Sequence, residues 1–174
     1  RPVDAHLRKN GCGWYNAWRV RKLAGARLTP RSPVMRCEQA AALASWMVHD
    51  VQPAARRLLG SPVASVRHVG TYNCRSIRGS RTPLGGIPSQ HSFANAIDIS
   101  GFVLTDGRRI TLLRDWRNGT KGRFLRRIYA DSCRWFRVKL GPASNRAHRD
   151  HFHFDRGWAF SRCALGTTRA QRPS

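Results

Sequence analysis

Seven histidines are unevenly placed along the 174 residues. Three of them fall within the run His148-Arg149-Asp150-His151-Phe152-His153-Phe154-Asp155. If this run is a strand, residues two apart share a face. His151 and His153 then point one way, while Phe152 and Phe154 point into the core. Two imidazoles on one strand face can share a metal, or one can bind it while the other moves a proton. A second element is His91-Ser92-Phe93-Ala94-Asn95-Ala96-Ile97-Asp98. Asp98 is one of nine acidic residues in a chain of net charge +23, and it sits between Ile97 and Ile99. A lone carboxylate in such an apolar strand is costly unless it is paired or metal-bound. His91, Asp98 and one strand histidine make a two-His, one-carboxylate set. With water in a fourth position, that is the donor pattern of a catalytic zinc site. The bland alternative is a surface histidine, with an aspartate that caps a turn or pairs with an arginine.

The elements that must position these residues are legible as periodicities. From Cys37 to Leu59 the apolar residues Ala40, Leu43, Ala44, Met47, Val48 and Val51 recur at three-to-four spacing, which predicts a helix. Pro53 should break or kink it near Gln52, and Gly60 followed by Pro62 ends it. Val63 to Tyr72 reads as a strand, Arg75 to Pro88 as a surface loop, and Ala94 to Ile99 as a short buried strand. Phe102–Leu104 and Arg109–Leu113 flank a hairpin turn. Lys121–Ala130 reads as a helix, and Trp135–Leu140 and His151–Asp155 as strands. Together these predict an α+β single domain with a central, mainly antiparallel sheet flanked by helices. Residues 1–34, punctuated by glycine and proline, read as an irregular N-terminal arm. The domain would span 35–163, and 164–174 would be a polar, frayed tail.

Composition narrows the function classes. Hydrophobic residues make up 41% of the chain, enough for a core and too many for global disorder. No apolar run approaches the ~20 residues of a membrane span. The opening Arg1-Pro2-Val3 carries no signal-peptide pattern, which says little about targeting. The 28 Arg and 4 Lys are spread along the whole chain. Such a charge favours non-specific binding to any polyanion, but no helix-turn-helix, RNP-type or Cys/His finger pattern accompanies it, so no specific nucleic acid is expected. The five cysteines are widely spaced with no C-x-x-C, which points to disulfides formed in an oxidising compartment. Cys74 follows a strand and Cys133 precedes one, so they are expected to pair. A second bond would use two of Cys12, Cys37 and Cys163, with one thiol left over.

The run Ser89-Gln90-His91-Ser92-Phe93-Ala94-Asn95-Ala96-Ile97-Asp98 resembles the S-x-H-x-x-G-x-A-x-D motif of the zinc peptidase superfamily. That group includes D-Ala-D-Ala carboxypeptidases, lysostaphin, murein endopeptidase and the hedgehog signalling domain. His151-Phe152-His153 matches its H-x-H strand. The chain is more closely similar to the bacterial extensin-like C-terminal domain family. The shared features are Val51-Gln52-Pro53-Ala54-Ala55-Arg56-Arg57, Arg67-His68-Val69-Gly70, Ile97-Asp98-Ile99-Ser100-Gly101-Phe102 and the His148–Asp155 run. The likeness covers roughly Val34 to Cys163. One departure is Ala94, where the superfamily motif has glycine.

The resemblance implies a hedgehog/D-Ala-D-Ala-peptidase-like fold. It implies one Zn2+ per chain held by His91, Asp98 and His153, with His151 as the catalytic histidine outside the ligand set. His148 and Asp150 occupy positions that carry a histidine or a carboxylate in subgroups of the superfamily. Arg75, in Tyr72-Asn73-Cys74-Arg75-Ser76, resembles a substrate-holding arginine, and Ser89 is expected with it on the substrate-binding side, behind the ligands. The implied activity is hydrolysis of peptide bonds in peptidoglycan stem peptides or cross-links, in the periplasm or outside the cell. The alternative is a non-catalytic zinc-containing module on the same fold that binds cell wall or polyanions. The only glutamate, Glu38, lies far from these motifs, so the general base must be a His or an Asp. Strand parity favours His151, with His148 in the preceding turn assisting. Asp150 faces the opposite side unless the chain bends.

Overall fold

The computed structural model describes residues 1–77, 80, 86–157 and 163. Seven short strands open the chain: β1 (Pro2–Val3), β2 (His6–Leu7), β3 (Gly13–Trp14), β4 (Ala17–Arg19), β5 (Lys22–Leu23), β6 (Ala26–Thr29) and β7 (Val34–Arg36). Helix α1 (Cys37–Trp46), a π-helical turn (Met47–Val51) and α2 (Gln52–Leu59) follow without interruption. Then come β8 (Val63–Gly70), β9 (Ala96–Leu104), β10 (Arg109–Thr111), α3 (Leu112–Asp115), α4 (Gly119–Asp131), β11 (Val138–Leu140) and β12 (Phe152–Asp155).

The main sheet has the order β11-β12-β9-β8-β6-β5, with β10 also paired to β9. All its pairs are antiparallel except β6 with β8. Parallel neighbours need a crossover, usually helical. Here α1 and α2 supply it and cover one face of the sheet. The fold class is therefore α+β with a mainly antiparallel sheet, as the periodicities imply. No helix among the described residues is long and apolar enough to cross a membrane.

The helix-facing side of the sheet holds the core. Ile97, Ile99, Phe102, Phe152 and Phe154 alternate inward and are fully buried. Trp46 packs against Phe102, Phe136 and Phe154 at ring-centroid distances of 5.2–6.3 Å. Its indole N–H donates to the Ile128 carbonyl at 2.9 Å, so the polar atom of a buried Trp is satisfied. Because side chains alternate across a strand, the residues between these apolar ones, Asp98 and His153, emerge on the other face.

Several expectations need correction. Residues 1–34 are not an irregular arm. They hold six of the strands, and β6 is an interior strand of the main sheet. These strands are two to four residues long, too short for an alternation to show, and β6 takes its interior place from β8, 38 positions along the chain. Pro53 does not break the helix. It sits in the first turn of α2, where a missing N–H is tolerated. The turn before it widens, with the Gln52 N–H reaching the Met47 carbonyl. The strands expected at Ala94–Ile99 and Phe102–Leu104 are one continuous β9. Gly101 permits this, since a Cβ there would lie 2.3 Å from the Ile110 carbonyl of β10.

Cys74 does not pair with Cys133. The disulfides are Cys12–Cys74 and Cys133–Cys163, and Cys37 is free. Strands β8 and β11 are three places apart in the sheet, about 14 Å at the usual spacing. That exceeds the ~7 Å reach of a disulfide. The tail expected at 164–174 lies outside the described residues, as do positions 78–79 and 81–85 of the expected loop.

Candidate metal centre

Strands β9 and β12 pair so that Asp98 stands directly opposite His153. His91 comes from the 3-10 turn Gln90–Phe93, just before β9. The Ser89 hydroxyl accepts the His91 backbone N–H at 3.3 Å and caps this turn. Ser89 is 4% exposed. It is thus buried beside a candidate ligand. Ala94 closes the turn in the left-handed region, with φ 51° and its methyl fully buried. The conformation is the one that favours glycine, and here alanine adopts it.

Three ligand atoms converge. His91 Nε2 and His153 Nδ1 are 3.1 Å apart. Asp98 Oδ1 lies 2.9 Å from His153 Nδ1, and Asp98 Oδ2 lies 3.2 Å from His91 Nε2. A tetrahedral ion with bonds of ~2.05 Å has edges of ~3.3 Å between its ligands. The far nitrogen of each ring is also fixed. His91 Nδ1 lies 3.2 Å from the Thr71 carbonyl, immediately after β8. His153 Nε2 lies 2.8 Å from Asp155 Oδ2, and the other Asp155 oxygen accepts the Gly157 N–H. Carbonyl and carboxylate oxygens only accept, so the neutral rings carry their protons there and turn lone pairs inward. Two imidazole nitrogens and a carboxylate facing one another at about 3 Å form a group that could hold a cation. Among the described residues, His91, Asp98 and His153 are the group of this kind.

Without a metal, a proton must serve. Burial alone would lower the His153 pKa, but hydrogen bonds and charge from Asp155 and Asp98 outweigh it and raise the value to about 9. Burial likewise pushes the Asp98 carboxyl up. Hydrogen bonds from His153 and His91, and their charge, hold it well below the usual carboxylate range.

The remaining candidates surround this cluster. His151 Nε2 is 3.9 Å from Asp98 Oδ1, and its Nδ1 is 2.8 Å from Asp150 Oδ1. Asp150 itself is exposed. Strand β12 begins only at Phe152, so the chain at Asp150 is free to turn its carboxylate back onto the His151 ring. Asp150 thus stands behind His151, away from the ligand atoms. His148 lies with its ring 5.0 Å from that of His151 and 6.0 Å from that of His153. Its Nδ1–H donates to Asn145 Oδ1 at 2.8 Å. Burial first, then the neighbouring His151 and His153, lower its pKa to about 4. Arg75 is exposed one step to the side, its backbone N–H donating to the hydroxyl of Ser92, the residue after His91.

Three supporting groups were not singled out from sequence: Asp155, the Thr71 carbonyl and Asn145. Asp155 was within reach of the same parity that placed His151 and His153 together, being two residues past His153. Asp98, Asp150 and Asp155 are three of the nine acidic residues of the chain.

The family model for the extensin-like protein C-terminus matches residues 1–164. The chain belongs to this extensin-like family. The match takes in the N-terminal strands as well as the segment from Val34 to Cys163 on which the sequence likeness rests. In the extensin-like chain the two disulfides flank the site's surroundings: one ties residue 12 to the segment after β8, the other ties residue 163 to the turn before β11. They are bonds of the kind that persist in an oxidising compartment. No curated protein and no solved structure matched the chain.

Proposed function

We propose that the chain is a zinc-dependent peptidase that hydrolyses peptide bonds in peptidoglycan stem peptides or cross-links, working in the periplasm or outside the cell. The observation that carries this reading is the convergence of His91 Nε2, His153 Nδ1 and the Asp98 carboxylate, each ring backed by an acceptor. Two nitrogens and one carboxylate oxygen suit zinc, and three protein ligands leave a position open, as catalytic sites do. The kinship to the D-Ala-D-Ala carboxypeptidase and murein endopeptidase superfamily belongs to the same proposal.

A zinc ion held there supplies Lewis acidity toward a scissile carbonyl and toward water. The rest of the chemistry falls to the chain's own residues. In neutral His151 the hydrogen bond to Asp150 keeps the proton on Nδ1, leaving Nε2 with a lone pair beside the cluster. That nitrogen accepts the proton of the attacking water as its oxygen bonds to the carbonyl carbon. It returns the proton to the amine as the C–N bond breaks. Asp150 holds the ring in this tautomer and steadies the imidazolium, the role of an orienting carboxylate. His148, with its pKa lowered to about 4, is too weak a base to compete at neutral pH. A basic surface of net charge +23 suits a substrate that bears free carboxylates.

The test is hydrolysis of purified sacculi, with and without chelator, together with zinc content. Wild type should carry about one zinc per chain. Asp98→Ala, His91→Ala and His153→Ala should lose most of it along with activity. Full zinc occupancy in Asp98→Ala would sink the ligand assignment. Zinc-loaded protein that binds sacculi and releases no peptide would favour a binding module, a reading the net charge also suits.

A further inference from the structure

The N-terminal hairpin β2–β3 has no side-chain hydrogen bond to the main sheet among the described residues. It belongs to neither larger sheet. Its conformation is nonetheless tightly specified. Gly13 has φ 133°, and a Cβ there would sit 1.8 Å from the His6 carbonyl. Only glycine lets the two short strands close on each other. Two devices then pin the hairpin beside the candidate metal centre. The first is the Cys12–Cys74 disulfide, spanning 62 positions of sequence. The second is an aromatic cluster in which Tyr72 meets Trp14 edge-on at 4.7 Å and His6 at 6.2 Å. Both anchors, Tyr72 and Cys74, lie within three residues after Thr71, whose carbonyl holds His91.

Between the hairpin tip and the core lies a cleft of about 380 Å³, lined by Asn10, Gly11 and Cys12 on one side and by Arg75, Ser92 and Phe93 on the other. Ser92 and Phe93 belong to the same 3-10 turn as His91, so the cleft and the metal cluster share that turn, although the three candidate ligands do not line the cleft. Its charged wall is cationic. Among the described residues the Arg75 guanidinium donates one hydrogen bond, to the Ser76 carbonyl, and no carboxylate pairs with it. A guanidinium has five N–H donors arranged for a carboxylate.

We infer that the stapled hairpin, residues 6–14, is a wall of the substrate groove. The cleft between it and Arg75 seats a carboxylate-bearing segment of the peptide on one side of the bond to be cut. The inference rests on the peptidase reading and adds to it a substrate-binding element outside the metal motifs. The hairpin tip would govern which peptides bind without touching the reacting atoms.

The experiment uses the full chain, loaded with zinc and carrying His151→Ala so that bound peptide is not consumed. The probe is a synthetic stem tetrapeptide of L-Ala, γ-linked D-Glu, a diamino acid and D-Ala. Titration into 15N-labelled protein should shift the amides of Asn10, Gly11, Arg75 and Ser92. Asn10→Trp, which fills the cleft from an exposed position, should weaken binding at least tenfold with zinc content unchanged. In the otherwise native enzyme it should raise KM while leaving kcat within about twofold. The double variant Cys12→Ser, Cys74→Ser, which releases the hairpin, should lose affinity similarly. Peptide binding that shifts the metal cluster but leaves the hairpin untouched, or unaltered affinity in Asn10→Trp, overturns the inference while the peptidase reading stands. Wild-type protein that neither cleaves sacculi nor binds the tetrapeptide overturns both.

Discussion

Metal binding at this centre should be coupled to the release of a proton, and the coupling can be worked from the structure. In the metal-free protein His153 bridges Asp98 and Asp155, and its pKa is raised to about 9. At pH 7 the ring is therefore protonated in all but about one molecule in a hundred. A metal must take Nδ1, so that proton has to leave. Displacing it across two pH units costs about 3 kcal/mol, a factor of roughly 100 in apparent affinity. The affinity for zinc should accordingly rise about tenfold per pH unit up to pH 9 and then level off as His153 deprotonates unaided. Isothermal titration calorimetry in two buffers of different ionisation enthalpy measures the proton count directly. The expected result is about one proton from this ring per zinc at pH 7, and close to none from it well above pH 9. An apparent affinity that stays flat from pH 7 to pH 9, with no buffer-dependent heat, would refute the assignment of His153 Nδ1 as a ligand or the charged state of its ring.

The same group sets the stability of the metal-free protein. A raised pKa stabilises the fold below the unfolded-state value of about 6.5, and that contribution is lost as pH climbs through 9. Thermal melts of chelated protein should therefore fall between pH 6.5 and 9.5, and zinc should remove most of that slope. Asp155→Ala, which takes the acceptor from His153 Nε2, should weaken zinc binding 10- to 100-fold, as read by competition with a chromogenic chelator, with Asp155→Asn in between. His151→Ala should keep its zinc and lower kcat by ~10²-fold or more, the size of an acid–base contribution. Near-normal turnover in that variant, with Asp150→Ala inactive and zinc-loaded, would mean that Asp150 is the base. Thiol labelling of denatured, unreduced protein should find one reactive cysteine, Cys37; five would contradict both disulfides.

What the sequence disclosed of this molecule depended on how local the cause was. The inward Phe152 and Phe154 and the outward His151 and His153 follow from strand alternation over a few residues. Asp98 stood out because Ile97 and Ile99 flank it. The Gly60 helix stop is likewise a single-residue signal. The N-terminal strands were hidden because they are very short and β6 joins the main sheet by pairing with β8, 38 positions away. Disulfide partners were hidden for a related reason. Flanking a strand says nothing of which strands separate two cysteines in the sheet, and here the order puts β12 and β9 between β11 and β8. Asp150 depended on where β12 begins, a boundary set by its pairing with β9 and invisible in the run itself.

The placement of Asp98 and Asp155 on His153, with Asp150 behind His151, in a chain of charge +23 has a consequence for traffic. From afar the molecule is a positive object, and this cluster of carboxylates is felt only at short range, within a screening length of ~10 Å at 0.1 M salt. Carboxylate-bearing polymers are drawn in from a distance, while a divalent cation must climb a repulsive potential before it meets its ligands. Added salt lowers that barrier and weakens the attraction for the polymer in the same stroke. On the peptidase reading proposed above, ionic strength would therefore move metal loading and polymer capture in opposite directions. On the same reading, a polymer rich in fixed anions, which gathers counter-ions at its surface, would let both proceed.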